Sequence, residues 1–163
     1  MNGYVTFYVG ISKISKIIKF FTWAGVDGPS HAAFERGNGQ VIEAWHKGGV
    51  REVVSRNHGH TPGTKIIRFK IEGMTVLQEE RMVEFMLDQL RKKYDWWGIA
   101  SFIRRKVWHR DNAWFCSELV FAAAKHAGID LLARIEPYKV SPALLFTSPL
   151  LIKIDEVITR DPE

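Results

Sequence analysis

The sequence predicts one α+β domain, an antiparallel meander of strands, open or closed into a barrel, packed against helices. Three observations predict it. Short runs rich in β-formers, bounded by Gly, Pro and Asn, fill most of positions 4–71. Apolar residues at helical spacing dominate after Thr75. The 163 residues carry no repeat, no low-complexity tract and no linker long enough to split the chain, so a single domain over 1–163 with one core is expected.

The elements follow in order. Tyr4 to Val9 alternates loosely and reads as a strand. Ser12 to Trp23 sets Ile14, Ile17, Ile18 and Phe21 on one side of a helix and Lys13, Lys16 and Lys19 on the other. Such a basic amphipathic helix ordinarily packs on the domain with its lysines solvated; attachment to a membrane surface is the less favoured use. The loop Gly25–Pro29 leads to a strand from Ser30 to Glu35, and Arg36-Gly37-Asn38-Gly39 turns the chain back into Gln40–Trp45. Lys47-Gly48-Gly49 turns again into Val50–Ser55. A polar loop, 57–63, precedes the alternating strand Lys65–Ile71.

Thr75 and Gln78 have capping-box spacing and open a long helix to about Tyr94, with Val76, Val83, Met86, Leu87 and Leu90 along one side. Asp95 to Trp108 reads as an aromatic-rich helical stretch. Asn112 is an N-cap candidate for a helix from Ala113 to about His126, which stops at Gly128. Ser141-Pro142 starts a short helix, and 150–158 forms a last strand.

Composition excludes several function classes. The net charge of +5 fits acidic partners or weak attraction to an anionic surface, but the basic residues lack the clustered, aromatic-interleaved pattern of a nucleic-acid interface. No apolar run is long enough to span a bilayer. The opening Met1-Asn2-Gly3-Tyr4 has neither a secretory nor a myristoylation pattern, so a cytoplasmic protein is expected, and a reducing compartment suits one free thiol. No G-x-G-x-x-G or P-loop follows a strand, which argues against a nucleotide fold.

Cys116 is the only cysteine, so an intramolecular disulfide and an all-cysteine metal site are excluded. It lies in Trp114-Phe115-Cys116-Ser117-Glu118-Leu119-Val120, which reads as the first turn of a buried helix. Free backbone N–H groups and the positive end of the helix dipole favour thiolate there. The competing reading is a small buried apolar residue. Catalysis would need an imidazole to take the thiol proton and a third group to orient that ring.

His126 lies too far along the same helix, and His46, His58, His60 and His109 lie in or beside turns. His31 sits in a strand between small residues Ser30, Ala32 and Ala33, which leaves room for a substrate beside its ring. Glu43 is a carboxylate in the otherwise apolar run Val41-Ile42-Glu43-Ala44-Trp45 and needs either a partner or an exposed face. A hairpin centred on Asn38 places His31 opposite Trp45, with Glu43 as its diagonal neighbour on the same face. A two-residue Asn38-Gly39 turn flips the parity and points Glu43 away. The residues do not choose between these two registers. A zinc site of His46, His58 and His60 has only weak support, because no H-E-x-x-H or second cysteine accompanies it.

In order, the pieces resemble the circularly permuted branch of the NlpC-type papain-like cysteine peptidases and amidases, the YiiX/YaeF-like proteins. They are the first strand, the helix around Ser12–Phe21, Ser30-His31, Val41-Ile42-Glu43-Ala44, Gly48-Gly49-Val50, Tyr94-Asp95-Trp96 and Phe115-Cys116-Ser117-Glu118-Leu119-Val120. In that branch the histidine strand precedes the cysteine helix, as His31 precedes Cys116 here. The resemblance covers Tyr4 to about Ser148. It departs at Gly3-Tyr4, where many relatives have Gly-Asp, and at Phe115, where many have Tyr.

The resemblance implies a permuted papain-like fold, a nucleophile at Cys116, a general base at His31 and an orienting carboxylate at Glu43. Ser30, Tyr4, Tyr94 and Trp114 are the candidate substrate contacts. The implied substrates are peptide or γ-glutamyl amides of cell-wall type, or lipid acyl groups, since lecithin retinol acyltransferase-like proteins share the permuted arrangement. A binding module that keeps the fold without turnover is the other expectation. None of these readings calls for a cofactor, a metal or a nucleic-acid partner.

Overall fold

The computed structural model describes residues 3–96 and 112–159. Its main layer is a six-stranded antiparallel sheet in the order β4-β3-β2-β1-β5-β8. The strands are β1 (Tyr4–Val9), β2 (His31–Glu35), β3 (Val41–Trp45), β4 (Gly49–Val53), β5 (Lys65–Ile71) and β8 (Leu151–Ile158). The first four form the expected meander, and β5 adds on the other side of β1. The sheet is open, with β4 and β8 at its two ends, so the barrel alternative is not realised. Two short strands, β6 (Lys93–Tyr94) and β7 (Ala113–Trp114), form a separate parallel pair.

Four α-helices lie among the described residues: α1 (Lys13–Phe21), α2 (Val76–Asp88), α3 (Cys116–His126) and α4 (Pro142–Phe146). Three begin one residue after a side-chain cap, and Thr75 and Ser141 are the caps expected from the sequence. Ser12 accepts from Ser15 N–H, Thr75 shares a capping box with Gln78, and Ser141 accepts from Leu144 N–H ahead of Pro142.

Period-two alternation gives the sheet two buried faces. Val5, Phe7, Ala32, Phe34, Ile42, Ala44, Ile67 and Phe69 join one apolar cluster with Met82 and Met86 of α2 and Leu119, Val120 and Ala123 of α3. Ala32 and Ala44 have little side chain, which suits the close packing of α3 on β2 and β3. Phe7, Phe69 and Phe146 meet edge to face at centroid separations of 5.1–5.5 Å. On the opposite face Tyr8, Ala33, Val41 and Ile66 form a smaller cluster.

Three boundaries differ from expectation. α2 stops at Asp88 rather than near Tyr94, because the chain is captured by the sheet edge. Arg91 takes φ 69°, its N–H donates to Val50 O at 2.9 Å, and Val50 N–H donates to Lys92 O at 2.9 Å. Val76, expected on the apolar side of α2, is exposed, and the buried side chains are Met82, Met86 and Glu79. α3 starts at Cys116 rather than Ala113, because Ala113 and Trp114 pair with β6, so Phe115 and not Asn112 precedes the first turn. The helix expected over 95–108 lies, beyond Trp96, outside the described residues, as do Trp97, Trp108 and His109.

The β4–β6 junction leaves no space at Gly49. It has φ +81°, and a Cβ there would lie 2.0 Å from Lys92 O and 2.9 Å from Lys92 C, both backbone atoms. Gly49→Ala is expected to destabilise the protein by about 3 kcal/mol, from the left-handed strain and the forced displacement together. Urea unfolding measures this; a loss below about 0.5 kcal/mol would show that the junction yields freely.

Candidate active site

His31 is the first residue of β2 and Cys116 the first of α3, and the two side chains meet at that end of the sheet. The hairpin settles the register left open by the sequence. Glu35 pairs with Val41 and Phe34 with Ile42, so the turn centres on Asn38. It is closed by Arg36 N–H donating to Gln40 O at 2.7 Å, with Gly39 at φ +85°. Glu43 therefore shares a face with His31, and its Oε2 lies 2.6 Å from His31 Nε2. Trp45 stands edge-on to the imidazole at 5.4 Å.

Cys116 lies close enough to the same ring to act on its charge. With Nε2 committed to Glu43, Nδ1 is the nitrogen left for the sulfur. Burial alone would lower the affinity of His31 for its proton. The Cys116 thiol and the Glu43 carboxylate outweigh burial and push the imidazole up to about 10 from the ordinary 6.5. Burial would raise Glu43, but the bond and charge of His31, helped by His60 and Arg51, hold it down at about 2.

Arg51 is a site residue that the sequence reading missed. It faces Glu43 directly across the β3–β4 ladder, and its Nε and Nη2 donate to Glu43 Oε1 at 2.9 and 2.7 Å. Its guanidinium also lies 4.3 Å from the Trp45 ring centre. The signal was present: a turn centred on Lys47 places Arg51 opposite Glu43. Arg51, Glu43, His31 and Cys116 thus form one line of buried or half-buried polar groups, hydrogen-bonded from Arg51 to His31 and continued by Cys116 close to the ring.

His60 is the second missed residue. Its loop returns over the sheet and stacks the ring on Tyr8 at 3.9 Å, with Trp45 at 5.0 Å and His31 at 5.7 Å. Burial and the neighbouring His31 charge press it down to about 3, so it is neutral. No local pattern in 57–63 distinguishes it from the solvated histidines of other turns. Among the described residues, His31, Glu43 and His60 offer ligand atoms within 4.8 Å of one another, whereas His46 and His58 are not part of that group. A metal there would have to displace the bond between His31 and Glu43.

Tyr94 is carried by the β6–β7 pair, through Lys93 N–H to Asn112 O and Asp95 N–H to Trp114 O. It lies close to Cys116, and burial together with the Cys116 and Asp95 charges raises its phenol well above the ordinary range. Cys116 is wholly buried beneath these groups. At the start of α3, Glu118 accepts from Phe115 N–H at 3.2 Å, and Ser117 donates to Val140 O at 2.6 Å. As first residue of α3, Cys116 has an N–H with no partner inside the helix.

A pocket of about 210 Å³ opens beside His31. Tyr8, His60 and Tyr94 line it with α1 and the 59–64 loop, and Ser12, Ser15, Ser30, Thr61 and Thr64 give it hydroxyl groups. The Tyr8 hydroxyl is buried with no hydrogen-bond partner. Of the candidate substrate contacts, Ser30 and Tyr94 lie on this pocket. Ser30 is also structural, accepting from Gly10 N–H and donating to Tyr8 O, each at 3.2 Å. Tyr4 is placed elsewhere, opposite Glu35 at the far end of β2 with Arg68 over its ring. Trp114 also lies apart, donating to Gln89 Oε1 at 3.2 Å and packing on Phe85.

No helix among the described residues is long and apolar enough to cross a membrane. No family model matches the chain, and no curated protein matches it either.

Proposed function

We propose that the protein is a thiol hydrolase of the permuted papain-like type, cleaving an amide bond by way of an acyl-enzyme. The observation that carries this reading is the alignment of Glu43, hydrogen-bonded to His31, with Cys116 at a helix start close to the same imidazole. In it, His31 holds the proton given up by Cys116, and Sγ attacks the substrate carbonyl carbon. The N–H of Cys116 donates to the carbonyl oxygen as it gains charge. His31 then protonates the departing amine, and water resolves the acyl-enzyme with His31 as base. Glu43, anchored by Arg51, fixes the ring so that Nδ1 faces the sulfur. The hydroxyl-rich pocket suits a small polar acyl group such as an amino-acid or γ-glutamyl unit. Tyr94 must turn aside for the carbonyl to reach the sulfur, because the thiol is covered.

That cover is also the observation that favours a second reading, a binding module of the same architecture in which Cys116 only fills space. Thiol chemistry separates the two. With one cysteine in the chain, alkylation by iodoacetamide reports on Cys116 alone. Under the hydrolase reading, alkylation of the folded protein is already fast at about pH 6, whereas the urea-unfolded chain reacts only near the ordinary thiol range of about 8.5. A folded protein that resists alkylation at every pH at which the unfolded chain reacts would move the assignment to the binding module.

A further inference from the structure

Helix α1 has two uses for its apolar residues, and the core accounts for only one of them. Ile14 and Ile18 face inward and wall the pocket beside His31. Ile17 and Phe20 face outward, and Phe20 is 77% exposed. Just past the helix, Trp23 is 90% exposed and Val26 85%. Isolated exposed apolar side chains are ordinary, but this is a contiguous group of large ones. Phe20, Trp23 and Val26 border, with Ile11, an open groove of about 1060 Å³ between α1, its following loop and the ends of β1 and β5.

The backbone presents Trp23 to solvent at a cost. Ala24 N–H donates to Lys19 O at 3.0 Å, the six-to-one bond of a helix stop in which the residue before the donor is left-handed. That residue is Trp23, at φ 56°, where glycine would close the helix without strain. Lys19 Nζ donates to Val26 O at 2.7 Å and steadies the loop that carries the other exposed apolar residue. Lys13 and Lys16 are exposed on the same outer face as Phe20, and Asp27 is the single acid bordering the groove.

We infer that the outer face of α1 and its 23–26 tip form a docking surface for an anionic lipid bilayer, with Phe20, Trp23 and Val26 entering the interface and Lys13, Lys16 and Lys19 meeting the headgroups. Aromatic and aliphatic side chains on one side of a short helix with flanking lysines are the pattern of a helix lying in the interfacial plane. Charge sets the occupant. A second copy docking symmetrically would bring two sets of these lysines together with only two Asp27 carboxylates between them, whereas an anionic surface neutralises each lysine. Gly10 borders both the groove and the pocket beside His31, so a docked bilayer lies against the entrance side of the candidate active site. The inference rests on the surface alone and holds whether or not Cys116 turns over.

Sedimentation with sucrose-loaded vesicles tests it, comparing phosphatidylcholine alone with phosphatidylcholine mixed with phosphatidylglycerol. The 163-residue protein is expected to pellet with the mixed vesicles and not with phosphatidylcholine alone. The pair Phe20→Ser/Trp23→Ser and, separately, the pair Lys13→Glu/Lys16→Glu are each expected to lower partitioning by at least about tenfold. Thermal melting and the Cys116 alkylation profile should stay unchanged. Failure to pellet with either vesicle overturns the inference, as does binding unaffected by both pairs. A concentration-dependent dimer in sedimentation equilibrium, lost in Phe20→Ser/Trp23→Ser, would assign the surface to a second copy instead and equally overturn it.

Discussion

Cys116→Ala is expected to lose hydrolysis of amide and activated-ester substrates by about 10⁴-fold or more while keeping a cooperative fold. The activity estimate follows from removing the nucleophile of a unit whose other members act only through it. The fold should survive because the change deletes one sulfur from a site already packed by Tyr94 and the α3 core, a loss of about 1 kcal/mol against the 5–15 typical of a domain. Progress curves on a p-nitrophenyl ester and a peptide anilide, together with far-UV circular dichroism, measure both halves. A Cys116→Ala protein as active as the parent would sink the hydrolase reading, whatever the geometry around His31.

Glu43→Gln is expected to damage activity and stability together. Glu43 is almost fully buried and accepts three bonds, from His31 Nε2 at 2.6 Å and from Arg51 at 2.9 and 2.7 Å. Glutamine fits the same space but carries one acceptor and one donor end. Whichever way it turns, an N–H of the amide faces either the imidazole N–H or the guanidinium, and the charge that balanced both is gone. Breaking a buried pair in this way costs about 3–5 kcal/mol. Turnover should fall by about 10²–10⁴-fold, since the ring loses both its orientation and its stabilised cation.

The pH dependence of stability gives this variant a signature that simple loosening would lack. His31 is raised from 6.5 to about 10, so its contribution is complete below about pH 6.5 and is lost as pH rises toward 10. Glu43 is depressed from 4.5 to about 2, so its contribution is complete above about pH 4.5 and is lost as pH falls toward 2. The parent protein should therefore be most stable between these limits, with slopes on both sides. In Glu43→Gln the acid-side slope from this residue disappears and the alkaline slope shrinks. Urea midpoints from pH 3 to 9 read this directly; two profiles that differ only by a constant offset would refute the coupling.

The order of most elements was legible in the chain because local chemistry set them. Tyr4–Val9 and Lys65–Ile71 are bounded where the alternation begins and ends, and Ser12, Thr75 and Ser141 cap the helices that follow them. The errors came where a distant segment claimed backbone hydrogen bonds. The apolar spacing of α2 continues through Leu90, but Val50 takes the N–H of Arg91. Ala113 and Trp114 have the composition of a helix start, but β6 pairs with them.

The site divides in the same way. His31, Glu43 and Cys116 stand out one at a time, as a histidine among small residues, a charge in an apolar strand and a lone thiol before a helical run. Whether Glu43 meets His31 depends on the parity of one hairpin, which no local propensity fixes. Arg51 could have been found by extending the same ladder arithmetic to the next turn. His60 reaches the site through a loop whose path depends on Thr61, Thr64 and Thr159 bonding across more than ninety residues of chain.

The line from Arg51 through Glu43 and His31 to Cys116 has a consequence for timing in the proposed reaction. With thiolate and imidazolium paired, its charges alternate plus, minus, plus, minus and sum to zero. Attack turns the last member into the neutral sulfur of a tetrahedral adduct and moves its charge to the carbonyl oxygen, so the buried row is left with one positive charge too many. The cheapest remedy is for His31 to surrender its proton, and the nascent amine is the acceptor beside it. Formation of the sulfur–carbon bond would then itself unload the acid, so that nucleophilic attack and expulsion of the leaving group are linked by electroneutrality rather than by any movement of the chain.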